Sequence, residues 1–211
     1  MKRRKLLAAA GGGVLAGCST RGGELTAERT ETRQYDLPTA TLIDVENQNG
    51  SATTVAEPRP DVSVEAVISG TTNDAVNAVS VTRERTDERL SIGVDVDGVR
   101  AETKVALTVR HPSSQPIQSV ASTSGDLAVD IGTLRTDATI ETTNGDVDLA
   151  LTSGIDAEVI ADAGGTVAVD HPDVRDTDRS GETVSAALGD ATRVVSAETT
   201  NGDISIGLLD L

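Results

Sequence analysis

Apolar side chains along this 211-residue chain recur at every second position rather than at helical spacing. Val62, Val64, Ala66 and Ile68 alternate with polar neighbours, as do Val79/Val81, Leu90/Ile92/Val94/Val96 and Val105/Leu107/Val109. Successive side chains on a strand point to opposite faces, so each run predicts a strand with one buried face. Another strand-like segment, TLIDVENQNGSATTV, follows Pro38. The charged run RERTDER (83–89) predicts a turn or hairpin end, and residues 73–79 form the one stretch suited to a short helix.

The second half is more regular. Gln48-Asn49-Gly50, Thr123-Ser124-Gly125, Thr143-Asn144-Gly145, Ala163-Gly164-Gly165 and Thr200-Asn201-Gly202 each end in glycine, and Gly125, Gly145 and Gly165 are evenly spaced. An alternating run follows each of the last four: Leu127/Val129/Ile131, Val147/Leu149/Leu151, Val167/Val169 and Ile204/Ile206/Leu208. A short repeat of glycine turn plus strand predicts an all-β, β-solenoid or β-helix-like stack with Asn-Gly and Ser-Gly turns, each rung covering its neighbour's apolar face. Asn144, Gly145, Asn201 and Gly202 are then structural corners, with glycine supplying a positive φ. An antiparallel β-sandwich is the alternative, because Asn-Gly is also a strong hairpin signal. The hexapeptide ETTNGD occurs twice, at 141–146 and 198–203. The rhythm favours one structural part used in two rungs over two halves of a chemical site.

Composition narrows the chemistry. Phe and Trp are absent and Tyr35 is the sole tyrosine, so base stacking and sugar platforms have almost nothing to build on. The formal charge is −16, or −20 once the four cations Lys2, Arg3, Arg4 and Lys5 are set aside. Such a surface repels phosphate backbones, which argues against nucleic-acid partners. The acidic, lysine-poor, Ala/Val/Thr-rich composition resembles that of haloarchaeal and other extremely halophilic proteins, whose self-repulsion is screened in salt.

The N-terminus, MKRRKLLAAAGGGVLAGCST, predicts a signal peptide over 1–17. Arg3 and Arg4 resemble a twin-arginine export signal, although Lys2 stands where Ser or Thr is usual. Leu15-Ala16-Gly17-Cys18 resembles a lipobox, in which small residues open the backbone to a peptidase and the Cys18 thiolate takes the lipid. Its apolar stretch is too short to span a bilayer. Cys18 is the only cysteine, so no intramolecular disulfide or cysteine-based metal cluster exists. Residues 18–36, polar and without sustained period, are expected to be a lipidated flexible tether. The β domain is expected over 37–211.

DVENQNGSATTV near the start, LTVRHPSSQPIQSVASTSGDLAVD in the middle and ETTNGDISIG at the close together resemble the DUF4097 adhesin-type family across residues 37–211. That resemblance implies a β-solenoid-like domain, often carried on lipoproteins or membrane-anchored proteins. No catalytic residues come with it. The stretch 83–89 and the long gap from 165 to 202 depart from clean repetition, and HPDVRDTDRSGE is expected to loop out there.

Candidate chemistry is sparse. His111 and His171 each precede a proline in a polar segment, a setting that suits structure better than catalysis. No GxSxG elbow, HExxH pair or phosphate-cradling loop occurs. Asp126, Asp146 and Asp203 follow the turn glycines and could align as a calcium ladder, but the calcium-binding nonapeptide repeat is missing, and each Asp could instead hydrogen-bond its own turn. Asn49-Gly50-Ser51 is the lone glycosylation sequon. The sequence therefore predicts a noncatalytic protein without cofactor, exported and lipid-anchored to the outer face of the membrane through Cys18. Its expected work is adhesin-like or envelope-organising, with a cell-surface protein or glycan as partner. The alternatives are a polysaccharide-acting β-helix enzyme and a calcium-binding surface module.

Overall fold

The computed structural model describes residues 25–96 and 103–211. In chain order the strands are β1 (Ala27–Tyr35), β2 (Leu42–Asn49), β3 (Ala52–Glu57), β4 (Val62–Gly70), β5 (Val79–Arg85), β6 (Arg89–Val96), β7 (Thr103–Pro112), β8 (Ile117–Ser124) and β9 (Leu127–Ile131). They continue with β10 (Ala138–Asn144), β11 (Val147–Thr152), β12 (Ala157–Ala163), β13 (Val167–Asp170), β14 (Val174–Ser180), β15 (Thr183–Leu188), β16 (Arg193–Asn201) and β17 (Ile204–Leu209). A short helix α1 (Asn73–Asn77), N-capped by the Thr72 hydroxyl, occupies the stretch where the sequence allowed one.

Two sheets face each other across one apolar core. The eight-stranded sheet runs β1-β4-β7-β3-β9-β11-β17-β13, and the nine-stranded sheet runs β14-β15-β12-β16-β10-β8-β2-β6-β5. Pairing is parallel from β7 to β13 in the first and from β12 to β6 in the second; antiparallel strands adjoin the parallel run at one end in the first sheet and at both ends in the second. The parallel centres overturn the antiparallel sandwich, because Asn-Gly here turns the chain from one sheet to the other instead of folding it back on itself. Five glycine corners connect the sheets: β2–β3, β10–β11 and β16–β17 through Asn-Gly, β8–β9 through Ser-Gly and β12–β13 through Gly-Gly.

The predicted alternation holds. Ile43, Leu90, Ile92, Leu127, Ile140, Leu149 and Leu151 are among the fully buried side chains, each contributing about 1.5–3 kcal/mol by leaving water. Without large aromatics the core is thin, and it is assembled from such contributions along both sheets.

Three expectations are corrected. Residues 27–35, assigned to the tether, form β1, an edge strand paired with β4 from Ala27↔Gly70 to Tyr35↔Val62. The alternation is hidden in that segment because its inward positions carry arginine and glutamate: Arg29 donates to the Val79 carbonyl, and Glu31 pairs with both Arg29 and Arg83. These ion pairs tie β1 to β5 across the end of the core. HPDVRDTDRSGE does not loop out either; Val174–Ser180 within it forms the exposed edge strand β14, paired with β15. Its charges suit an edge that must not pair with a stranger. Finally, the even glycine spacing suggests that β12–β13 stacks on β10–β11, yet β16–β17 lies between them.

Candidate binding face

The two copies of ETTNGD stack directly on one another. Glu141, Thr142 and Asn144 pair in register with Glu198, Thr199 and Asn201, and Val147 with Ile204 beyond the corner. Each position has its own task. Thr142 and Thr199 turn inward, and their hydroxyls donate to the Gly125 and Gly145 carbonyls at 3.1 and 2.8 Å. The Asn201 amide donates to Asn144 Oδ1 at 3.0 Å.

The glycines stand in a column of contacts too tight for a side chain. A Cβ on Gly125, Gly145 or Gly202 would lie 2.0, 2.3 or 2.0 Å from the carbonyl oxygen of Gly50, Gly125 or Gly145 respectively. Gly50, Gly125 and Gly145 have φ of 120°, 153° and 149°, but Gly165 and Gly202 are not in that region. Close approach, more than backbone angle, makes glycine necessary at these corners.

The calcium candidates occupy the same corners. Asp126 Oδ1 accepts the Asp146 amide at 3.0 Å, Asp146 Oδ1 accepts the Asp203 amide at 2.8 Å, and Asp203 Oδ1 accepts the Thr166 amide at 2.7 Å. Each carboxylate thus bonds the neighbouring rung, not its own turn. The Thr166 amide and hydroxyl hold the Asp203 carboxyl below its ordinary value. Among the described residues no group of three or more His, Cys, Asp or Glu is gathered as a metal site. Asn49 is half-buried at the first corner, its amide donating to the Thr103 carbonyl. Arg3, Arg4 and Cys18 lie outside the described residues.

Both histidines are built into the fold. His171 Nδ1 accepts the Asp173 amide at 3.2 Å, so its Nε2–H donates to the Leu151 carbonyl at 3.1 Å. His111 is fully buried; its Nδ1 sits 2.9 Å from the Pro112 carbonyl, which makes Nδ1 the donor and leaves Nε2 without a partner. Burial pushes the His111 pKa down, outweighing the pull of Asp130, whose own carboxyl burial pushes up. A histidine held neutral in the fold loses stability as pH falls below its ordinary 6.5, since only the unfolded chain then gains the proton. Acidification from about pH 7 to about 5.5 is therefore expected to lower stability through this group. Asp130 acts oppositely and at lower pH, because its raised carboxyl is relieved by protonation. Urea unfolding of the protein and of His111→Leu across that range checks this; equal pH slopes would refute it.

What the scaffold leaves open is the outer face of the nine-stranded sheet. One row across it reads Gly93, Glu46, Ala121, Glu141, Glu198, Asp162 and Thr183, fixed by strand register. The next reads Ser91, Asp44, Ser119, Thr139, Ser196, Ile160 and Ser185. Neighbours in a row are about 4.8 Å apart. Glu198 takes the Ser196 hydroxyl and Asp162 the Thr183 hydroxyl, but neither they nor Glu46 and Glu141 pair with a described cation. Two open clefts adjoin at Ala121. One, about 410 Å³, is flanked by Glu141, Asp162, Glu182 and Glu198; the other, about 670 Å³, by Asp44, Glu46, Glu84, Arg89 and Asp137. Sequence reasoning missed this face, because its carboxylates come from distant segments and look individually like ordinary surface residues.

Two facing sheets joined by stacked glycine corners define the class. The chain belongs to the DUF4097 Toastrack family, whose model matches residues 17–207. No curated protein sequence matches it. A solved structure of a "putative cell adhesion protein" from Clostridium sporogenes shares the fold at 12% identity and a TM-score of 0.54, covering 87% of this chain and 100% of that one. A "putative adhesin" from Parabacteroides merdae is more distant, at 10% identity and a TM-score of 0.35 over 67% of this chain and 64% of that one.

Proposed function

We propose that this protein is a noncatalytic, lipid-anchored surface protein, its β-solenoid domain serving adhesion or envelope organisation. One observation carries the reading: Thr142, Thr199, Asn144, Asn201 and Asp146 of the repeated motif are occupied by contacts between rungs, while the broad polar face that carries its Glu141 and Glu198 stays open. Both histidines are tied into the scaffold, and among the described residues no histidine lines the clefts. That face, rich in carboxylates and hydroxyls, suits hydrogen bonding to a cell-surface glycan or protein. The family match and the adhesion label on its Clostridium structural neighbour agree with this reading.

Cys18 supplies the anchor and Arg3/Arg4 the export route. Because β1 starts at Ala27, the chain from Cys18 to the sheet can reach about 30 Å at most, half of what an 18–36 tether would allow. The domain is held close against the membrane. Replacing Cys18 by Ser is expected to move the protein from the membrane fraction to the soluble exported fraction. Continued membrane association of Cys18→Ser through high-salt washing would refute lipid anchoring.

A further inference from the structure

The last two strands enter the stack out of sequence order. β10–β11 and β12–β13 are consecutive in the chain, but β16–β17 separates them, paired in parallel with both neighbours in both sheets. The slot between those neighbours is complete only when the later segment fills it. That segment arrives over residues 189–192, which connect β15 to β16 across the end of β12. Four residues must bridge two strand spacings, about 10 Å.

The connection is strained and exposed. Gly189 has φ 57°, and Ala191, at φ 49°, is the only non-glycine with positive φ among the described residues. A side chain on Gly189 would collide with Asp156 Oδ1, the atom that accepts the Asp190 amide at 2.9 Å. Short, strained connections favour exchange of the segment they carry, because opening relieves the strain and every other contact can be remade in a second copy. Here those contacts include Thr199 to Gly145, Asn201 to Asn144, and Asp203 to both Asp146 and Thr166.

We propose that β16–β17 is an exchangeable rung through which two copies of this chain associate, each filling the other's slot beside residues 141–146. The occupant is a second copy because the slot is shaped to the rung: its wall carries the same ETTNGD, matched residue for residue. On the surface reading above, on which only its biological use rests, such exchange would link neighbouring or apposed copies.

The test uses Glu141→Cys and Glu198→Cys, each made in the full chain with Cys18→Ser. The two variants are mixed unfolded, refolded together in high salt and treated with a short thiol cross-linker. Exchange places the two cysteines side by side in different chains, so a covalent heterodimer is expected. Adding Ala191→Gly to both variants relieves the strained connection and should lower heterodimer yield about fivefold or more. Deleting Gly189, Asp190 and Ala191, which leaves one residue and a reach of about 7 Å where about 10 Å must be bridged in one copy, should shift the protein to dimers by light scattering. The double variant Glu141→Cys/Glu198→Cys, cross-linked within one chain, reports correct folding. Glu46→Cys with Glu198→Cys, about 14 Å apart, is the background control. Heterodimer no higher than that control, or a folded monomeric deletion variant, overturns the proposal. Neither outcome depends on whether Cys18→Ser leaves the membrane.

Discussion

Gly145→Ala is expected to destabilise the domain by about 3–5 kcal/mol, a large share of the about 5–15 kcal/mol that holds an ordinary domain folded. The added Cβ would lie 2.3 Å from the Gly125 carbonyl oxygen and 2.5 Å from its carbon, both backbone atoms pinned by pairing on either side. No rotamer change can relieve such a clash; the rungs must separate, and the Gly125 amide's bond to the Asn144 carbonyl would go with them. Gly202→Ala separates packing from backbone angle. It lacks positive φ, yet its Cβ would sit 2.0 Å from the Gly145 oxygen, so a comparable loss is expected. Gly154→Ala is the counter-case: φ is 74°, but nothing lies within 4 Å, and the expected loss is about 1–2 kcal/mol for the backbone alone. Thermal unfolding followed by circular dichroism ranks the three. Similar losses at 145 and 154 would show that backbone angle, and not the column of close contacts, governs these corners.

The second large effect is a dependence on salt. Glu141, Glu198 and Asp162 are adjacent across three parallel strands, with no described cation beside them. Like charges opposite each other destabilise a sheet by up to about 1 kcal/mol per pair. Here a net charge of −16 over the whole chain adds to the local repulsion. The unfolding midpoint should therefore climb steadily from about 0.1 M to about 2 M KCl, as the Debye length shrinks from about 10 Å to below about 3 Å. Glu141→Gln/Glu198→Gln should recover about 1–2 kcal/mol at the low-salt end and close to nothing at the high-salt end. A gain equal at both ends would assign the effect to side-chain propensity instead of charge.

Much of the architecture was legible along the chain. Strict alternation marked the strands, because one buried face leaves the same period-two trace wherever the strand lies. Asn-Gly and Ser-Gly marked the corners, and charged 83–89 marked the β5–β6 turn, closed by the Thr86 amide donating to the Arg89 carbonyl. β1 and β14 escaped notice for a common reason. Edge strands at the ends of a stack face solvent or an ion-pair seam, so they lack the apolar beat: β14 is exposed over most of its length, and the inward positions of β1 include Arg29 and Glu31. The acidic row was invisible because register, not sequence distance, brings Glu46, Glu141, Glu198 and Asp162 together.

ETTNGD separates the two kinds of information. Its residues alone specify a corner: two threonines with β propensity, an asparagine and glycine able to turn, and an aspartate to accept an amide. They do not say which rung the corner rests on. Spacing along the chain favours 143–145 beneath 163–165, and the fold instead sets 200–202 between them. Local conformation depends on a residue and its immediate neighbours, so it can be read in order. Stacking order depends on which complete rung best covers an exposed apolar face and its unpaired backbone, and rungs this alike differ too little in sequence to reveal the choice. It is the tertiary fold that turns Thr142, Asn144 and Asp146 into a seat for Thr199, Asn201 and Asp203, and leaves Glu141 and Glu198 together on the open face.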